Sequence, residues 1–315
     1  MPYPATDGTA LSDLARSEMI EHYAGVVDGQ FAKASMMRQF VTVQPVIGTD
    51  TLINRRIGKT TLKALVDGVP PDPSKTAFGR VSVTVDTTII ARDNRSQLNE
   101  FQIDFNARAE IGKDHGKEIG KFFDEALLIQ AAKGAALAAP SGLNGSIGAG
   151  LVKTHASAGD ELDPDLLYAQ IASIITYQQE QDIDTDMSHV FLRPTHYDVL
   201  LNCDKLIDRD FSRANGDFAD GKVKTIKGVP IEMTARIPNA AIAAHKLGSA
   251  YNWSATEAKV VAIVTNPMAL LVGETIPLTS DVWFDKISRT WFIDSFIAFG
   301  ASPRRPDVSG IVRKV

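Results

Sequence analysis

Residues 107–133 read ARAEIGKDHGKEIGKFFDEALLIQAAK, and the fold turns on how this stretch is understood. Ile111, His115, Ile119, Phe122, Ala126 and Ile129 recur at three- and four-residue steps, which gives one apolar stripe at helical period. Asn106 can cap the start, and Gly134 falls where a left-handed stop is expected. At ~1.5 Å of rise per residue, such a helix is a rod of roughly 40 Å. Its oddity is Gly112, Gly116 and Gly120, three glycines on one face. Each costs about 1 kcal/mol against Ala in a helix interior. Either a close approach of other backbone or a need to bend must offset that cost.

Working outward, 315 residues suffice for one large domain or two ordinary ones. An apolar content of 44% with 23% charged residues is that of a globular protein rather than a disordered one. No run approaches ~18 apolar residues, so no membrane-spanning helix is expected. The first residues, MPYPATDGTALSDLARSEMIEHY, lack the basic-then-apolar order of a secretory signal. The formal charge of -5 argues against a dedicated nucleic-acid binder, which needs a basic surface. A single cysteine, Cys203, excludes an internal disulfide framework.

The N-terminal 40 residues read as a polar arm followed by an amphipathic helix, with Ser17 able to cap it and Met19, Ile20, Tyr23, Val26 and Val27 near one face. Residues 41–95 change character. They are rich in Thr and β-branched residues, and RVSVTVDTTIIARD (80–93) alternates through Val81, Val83 and Val85. Between the two strand-like halves, VDGVPPDPSKTAFG (66–79) carries three prolines and two glycines and forbids regular structure. The reading is a long two-stranded excursion with a stiff tip. Two strands alone are marginal in water, so the excursion needs a surface to lie on.

After the long helix, APSGLNGSIGAG (139–150) reads as a flexible glycine-rich linker and a domain boundary. Beyond it the chain alternates in an α/β manner. Asp163-Pro164 opens a helix to about Gln181, His189–Leu192 is a short apolar strand, and Pro194 opens another helix. Residues 208–224 form a polar loop, and two short strands flank Gly228. VVAIV (260–264), ALLVGE (269–274) and a hairpin over 282–300, turning at Lys286 to Arg289, close the chain.

Candidate chemistry is thin. Gly58-Lys59-Thr60 imitates the end of a phosphate loop, but Ile53 stands where the first glycine belongs and the segment reads as strand. The histidines at 22, 115, 155, 189, 196 and 245 show no metal-ligand spacing, and His115 lies on the apolar stripe as a packed or paired residue. Asp182, Asp184 and Asp186 begin like a calcium loop but lack its glycine and closing glutamate, and so read as a solvated turn. Cys203 reads as a small buried hydrophobe. No catalytic constellation is present, so the chain is expected to be no enzyme and to use no cofactor or metal.

The order of parts carries a resemblance. The segments HVFLRPTHYDVLLNCDKLIDRDF and VKTIKGVPIEMTARIP (within 189–238), FAKASMMRQFVTVQPVIGTDTLINRRIGKTT (31–61) and the C-terminal IVTNPMALLVGE and RRPDVSGIVRKV resemble the major capsid proteins of tailed bacteriophages, with the short-tailed, T-seven-like phages nearest. That resemblance implies an α+β fold of the Hong Kong 97 type. Residues 1–40 would be the N-arm and a short helix, and 41–95 the extended E-loop hairpin. The P-domain would take 96–160 and 256–315, with the spine helix at 107–133, and the A-domain would take 161–255. It implies self-association into hexamers and pentamers of an icosahedral, DNA-filled virion shell assembled in the bacterial host cytoplasm. A separate scaffolding protein, a portal protein, a possible decoration protein and non-specific proximity to double-stranded DNA are the implied partners, with no membrane. Arg55, Arg56, Lys59, Asp67, Asp72 and Lys75 are candidate inter-subunit contacts of the E-loop. Gly112, Gly116 and Gly120 are candidates for softening the spine during shell expansion. No covalent cross-link is expected. The alternatives are an encapsulin-like compartment shell and, more distantly, an α/β enzyme with the 208–224 loop as lid.

Overall fold

The computed structural model describes residues 7–64, 67–68, 75–96, 98, 107–143, 145–207, 216–217, 222–223 and 225–315. The Asn106 cap, Asp72 and most of the 208–224 loop lie outside them. Helix α1 (Asp7–Ala34) begins before Ser17, which therefore sits within the helix rather than capping it. A one-turn helix α2 (Met37–Phe40) follows. Then come β1 (Val43–Pro45), β2 (Thr51–Ile57), β3 (Phe78–Thr84) and β4 (Ile89–Ser96). The long helix α3 spans Ala107–Ala135, as its apolar stripe requires, but runs through Gly134, which takes no left-handed conformation and does not stop it.

A six-stranded mixed sheet forms the second half. Its order is β5 (Leu151–Thr154), β14 (Ser309–Arg313), β11 (Val260–Thr265), β6 (His189–Leu192), β10 (Val229–Met233) and β9 (Thr225–Ile226). Its strands are near-continuous apolar runs because both faces are covered. Val190, Leu192, Val261, Val264 and Val312 pack against Leu167, Ile171 and Ile175 of α4 (Pro164–Glu180). Phe191, Ile263 and Ile311 point the other way and join α3 through Ala126, Leu127 and Ile129. Asp163 caps α4, its carboxylate accepting from the Asp165 and Leu166 amides, with Pro164 at the first helical position. Helices α5 (Pro194–Leu200) and α6 (Asp204–Ile207) follow β6, and a two-residue pair, β7 (Gly216–Asp217) and β8 (Lys222–Val223), precedes β9. Lys227 and Gly228, both at positive φ, make the tight turn between β9 and β10.

The second sheet is four-stranded, β1-β12-β13-β4, built on the long hairpin of β12 (Leu270–Asp285) and β13 (Thr290–Pro303). Its turn lies where the sequence places it, between Asp285 and Thr290. Strand β12 starts well before the expected hairpin, so ALLVGE is its first part rather than a separate strand. Helix α3 packs on this sheet too, Phe123 against Phe299 at a centroid distance of 4.7 Å. The spine thus serves both sheets.

The 139–150 loop is fitted rather than loose. Leu143 and Ile147 are buried, and the Gly150 amide donates to the Leu137 carbonyl at 3.0 Å. A Cβ on Gly150 would collide with the backbone of Ala135. That close packing contradicts a flexible linker. Any side chain there forces the end of α3 to move, so Gly150→Ala should lower the unfolding midpoint by an amount equivalent to about 1–3 kcal/mol in denaturant titration.

Candidate functional site

Helix α1 lies along the glycine face of the spine. A Cβ on Gly112 would stand 2.9 Å from Tyr23 Cε2, and one on Gly120 would stand 3.1 Å from Ala34 Cβ. One on Gly116 would overlap the Val27 carbonyl oxygen and stand 3.1 Å from the Phe31 nitrogen. The close approach belongs to the N-terminal helix. Two polar nodes fasten this bare seam. The Tyr23 hydroxyl is 2.9 Å from His115 Nδ1 and 3.0 Å from Ser295 Oγ, and His115 Nε2 is 3.0 Å from Asp93 Oδ2. Further along, the buried Asp124 carboxylate accepts from Ser35 Oγ at 2.7 Å and from the Met36 and Met37 amides at 2.9 and 3.0 Å. Burial raises its pKa against the pull of these hydrogen bonds. Arg38 then meets Glu274 with two parallel bonds at 3.1 and 3.0 Å, tying α2 to β12.

Strands β2 and β3 pair antiparallel from Thr51↔Thr84 to Ile57↔Phe78. Their period of two sorts the side chains onto two faces. Leu52, Val81 and Val83 turn inward. Beneath them Gly273 and Gly300, directly opposite each other in the β12–β13 ladder, form a bare floor. A Cβ on Gly273 would stand 3.3 Å from Leu52 Cδ2, and one on Gly300 would stand 3.1 Å from Val83 Cγ2. The far end is pinned as well, with the Lys59 amide donating to the Leu143 carbonyl at 3.1 Å and Ser146 Oγ donating to the Ile57 carbonyl at 2.9 Å. The hairpin's inner face therefore rests on its own chain.

The outer face does not. Ile53, Ile57 and Phe78 are 53%, 61% and 76% exposed, and Arg55 and Arg80 stand exposed between them. Of the candidate contacts, Arg55, Lys59, Asp67 and Lys75 are exposed. Among the described candidates Arg56 alone turns inward, where it donates to the Arg304 carbonyl and burial, with Arg304 close by, depresses its pKa. The apolar residues of the outer face and Arg80 escaped the sequence reading. The alternation through Val81 and Val83 was the available signal, since it sends Phe78, Arg80 and Ser82 to the other side. The pairing of Tyr23 with His115 and of Ser35 with Asp124 is not legible in the sequence, because no local pattern marks a contact between residues about ninety positions apart.

Cys203 is buried, as expected, and burial raises its thiol pKa. Among the described residues, no three His, Cys, Asp or Glu side chains could hold a metal ion. No helix among them is long and apolar enough to cross a membrane.

The architecture has close counterparts. The mature capsid of bacteriophage PhiM1 superposes with a TM-score of 0.77 at 26% identity, covering 89% of this chain and 87% of that one. The fold is the Hong Kong 97-type capsid fold. The capsid of cyanophage P-SCSP1u matches with a TM-score of 0.79 at 15% identity, over 90% of this chain and 88% of that one. A virus-like particle from Pyrococcus furiosus matches less well, with a TM-score of 0.55 at 13% identity over 94% of this chain and all of that one (100%). No protein-family model matches the chain. No curated protein matches it either.

Two measurements check the seam. Gly116→Ala gains helix propensity of about 1 kcal/mol, yet its methyl meets a carbonyl that cannot rotate away, so net destabilisation of about 1–3 kcal/mol is expected on denaturant unfolding. Stabilisation would mean that α1 does not hold this position. The Tyr23 phenol is pushed up to about 12 by burial, from its ordinary value of 10. A raised pKa stabilises the fold below the unfolded value and loses that contribution as pH rises through the folded one. Alkaline unfolding should therefore steepen between about pH 10 and 12 in the native chain, and Tyr23→Phe should remove that component.

Proposed function

We propose that this chain is the major capsid protein of a tailed bacteriophage, a structural subunit that self-associates into hexamers and pentamers of an icosahedral shell around double-stranded DNA. The observation that carries the reading is the likeness to the PhiM1 capsid, at 26% identity over nearly nine-tenths of both chains. Short-tailed, T-seven-like phages are the favoured subtype, on the sequence resemblance through 31–61 and the C-terminal segments. Residues 1–40 act as the N-arm, 41–95 as the E-loop, 96–160 with 256–315 as the P-domain and 161–255 as the A-domain. Assembly in the host cytoplasm calls on a separate scaffolding protein and a portal protein, with a decoration protein as a further partner, and packaged DNA touches the shell without sequence readout.

The physics of the outer hairpin face supports this reading. An exposed strip of Ile53, Ile57 and Phe78 beside cations is an interaction surface in waiting. Arg55, Lys59, Asp67, Asp72 and Lys75 are its proposed rim, with Arg56 serving its own subunit. If each chain offers a strip and a dock for it, the contacts are heterologous and close into rings where the rotation between neighbours divides a full turn. The glycine seam adds the movable part. Gly112, Gly116 and Gly120 lower the intrinsic stiffness of the spine, as bending during shell expansion demands.

The compartment alternative rests on the Pyrococcus furiosus particle, whose TM-score of 0.55 falls below the 0.77 of the PhiM1 capsid. Replacing residues 60–75 by a short Gly/Asn turn should leave a folded subunit with a native-like unfolding midpoint that forms no closed shells in negative-stain microscopy. Normal shells from that variant would contradict the proposed role of the loop. Recovery of an enzyme cargo in place of DNA in purified particles would favour the compartment.

A further inference from the structure

The outer face of the hairpin holds an electrostatic conflict. Arg55 and Arg80 lie directly opposite each other across the β2–β3 ladder, and like charges in that relation destabilise a pair of strands. Both are exposed. The next pair towards the tip on the same face is Ile57↔Phe78, and the next towards the base is Ile53↔Ser82. The face thus presents two adjacent cations flanked by apolar side chains, with its back sealed against its own sheet. Its fitting partner is an apolar depression that carries carboxylates.

One groove of the chain matches. It has a volume of about 840 Å³ and lies between the end of α1, α2 and the face of the six-stranded sheet at β6 and β10. Its apolar wall is Met36, Phe40, Phe191 and Met187, the last 57% exposed. Phe40 holds the ring array in place by edge contacts to His189 at 4.9 Å and Phe191 at 5.4 Å. Its charged groups are Asp186, Glu232, Lys33 and His189. Burial lowers the His189 pKa against the pull of Glu232, whose carboxylate lies 3.9 Å from Nδ1, so two carboxylates face one permanent cation, Lys33. Methionine supplies an apolar surface that adapts to the side chains it meets.

We propose that the groove of one subunit receives the hairpin's outer face from a second copy of this chain, with Ile57 and Phe78 against Met187 and Phe40 and the Arg55–Arg80 pair facing Asp186 and Glu232. The outer face points away from its own sheet, so the occupant comes from another subunit. The contact rests on the shell reading and specifies its dock: seating the two arginines beside two carboxylates relieves the repulsion that each hairpin carries alone. It also makes the dock part of the arm, because Met36 and Phe40 occupy the groove only while Asp124 and Arg38 hold α2 in place.

Charge exchange tests it on the full chain, co-expressed with a scaffolding protein where one is needed. Arg55→Glu with Arg80→Glu, and separately Asp186→Lys with Glu232→Lys, should each cut the yield of closed shells at least tenfold while leaving the unfolding midpoint near native. Combining all four should restore shells to within a few-fold of native yield. A cross-link gives an independent readout in a Cys203→Ala background. A chain with Phe78→Cys mixed with a chain carrying Met187→Cys should yield, on assembly and oxidation, a disulfide dimer of unlike chains that neither forms alone. Shells that assemble normally with no such dimer and no charge rescue would overturn the groove as the dock and leave the capsid reading standing. Failure of the native chain to form any closed particle would instead count against the capsid reading itself.

Discussion

The contact on which everything else depends is backbone against backbone, where α1 crosses the spine over Gly112, Gly116 and Gly120. Three glycines in the middle of a helix weaken it by about 3 kcal/mol in propensity. That loss is offset only if the bare face admits something a methylated face would exclude. What it admits is the N-terminal arm, brought so near that Tyr23 reaches His115 and Ser35 reaches Asp124. Fixing α1 fixes α2, and Arg38 then locks α2 to β12 through Glu274. The arm, the spine and the long-stranded sheet become one body through this chain of contacts.

The same device recurs at the hairpin. Gly273 and Gly300 form a floor without side chains, and β2–β3 settles onto it with Leu52 and Val83. In both places glycine is used for proximity rather than for a left-handed turn. A two-stranded ribbon that would be marginal alone is held on one face by its own subunit, which leaves the other face free to seek a neighbour. A shell subunit needs that division: the projection must be ordered before assembly and still unsatisfied until assembly occurs.

Much of this was legible in the sequence. The spine, the helix opened by Asp163-Pro164, the strand at His189–Leu192 and the turn between Asp285 and Thr290 follow from local periodicity, caps and turn chemistry, and the structure has each of them. The glycine face was legible as an anomaly with two explanations, and only the position of Val27 and Phe31 shows that close approach is in force. Long-range pairing was not legible. Nothing near Asp124 announces the Met36 and Met37 amides, and nothing near Leu143 announces the Lys59 amide. The 139–150 loop misled for the same reason. Its glycines suggested freedom, yet Gly150 is present because Ala135 leaves no space for anything larger.

The central claim is that a subunit built this way completes itself only in a closed shell. Electron cryomicroscopy of particles from the expressed chain addresses that claim directly. The account predicts hexameric and pentameric rings in which α1 lies on the glycine face of its own spine and the hairpin's outer strip is covered by the adjacent subunit. Particles in which that strip faces solvent, or a chain that stays monomeric with every proposed assembly partner present, would contradict it.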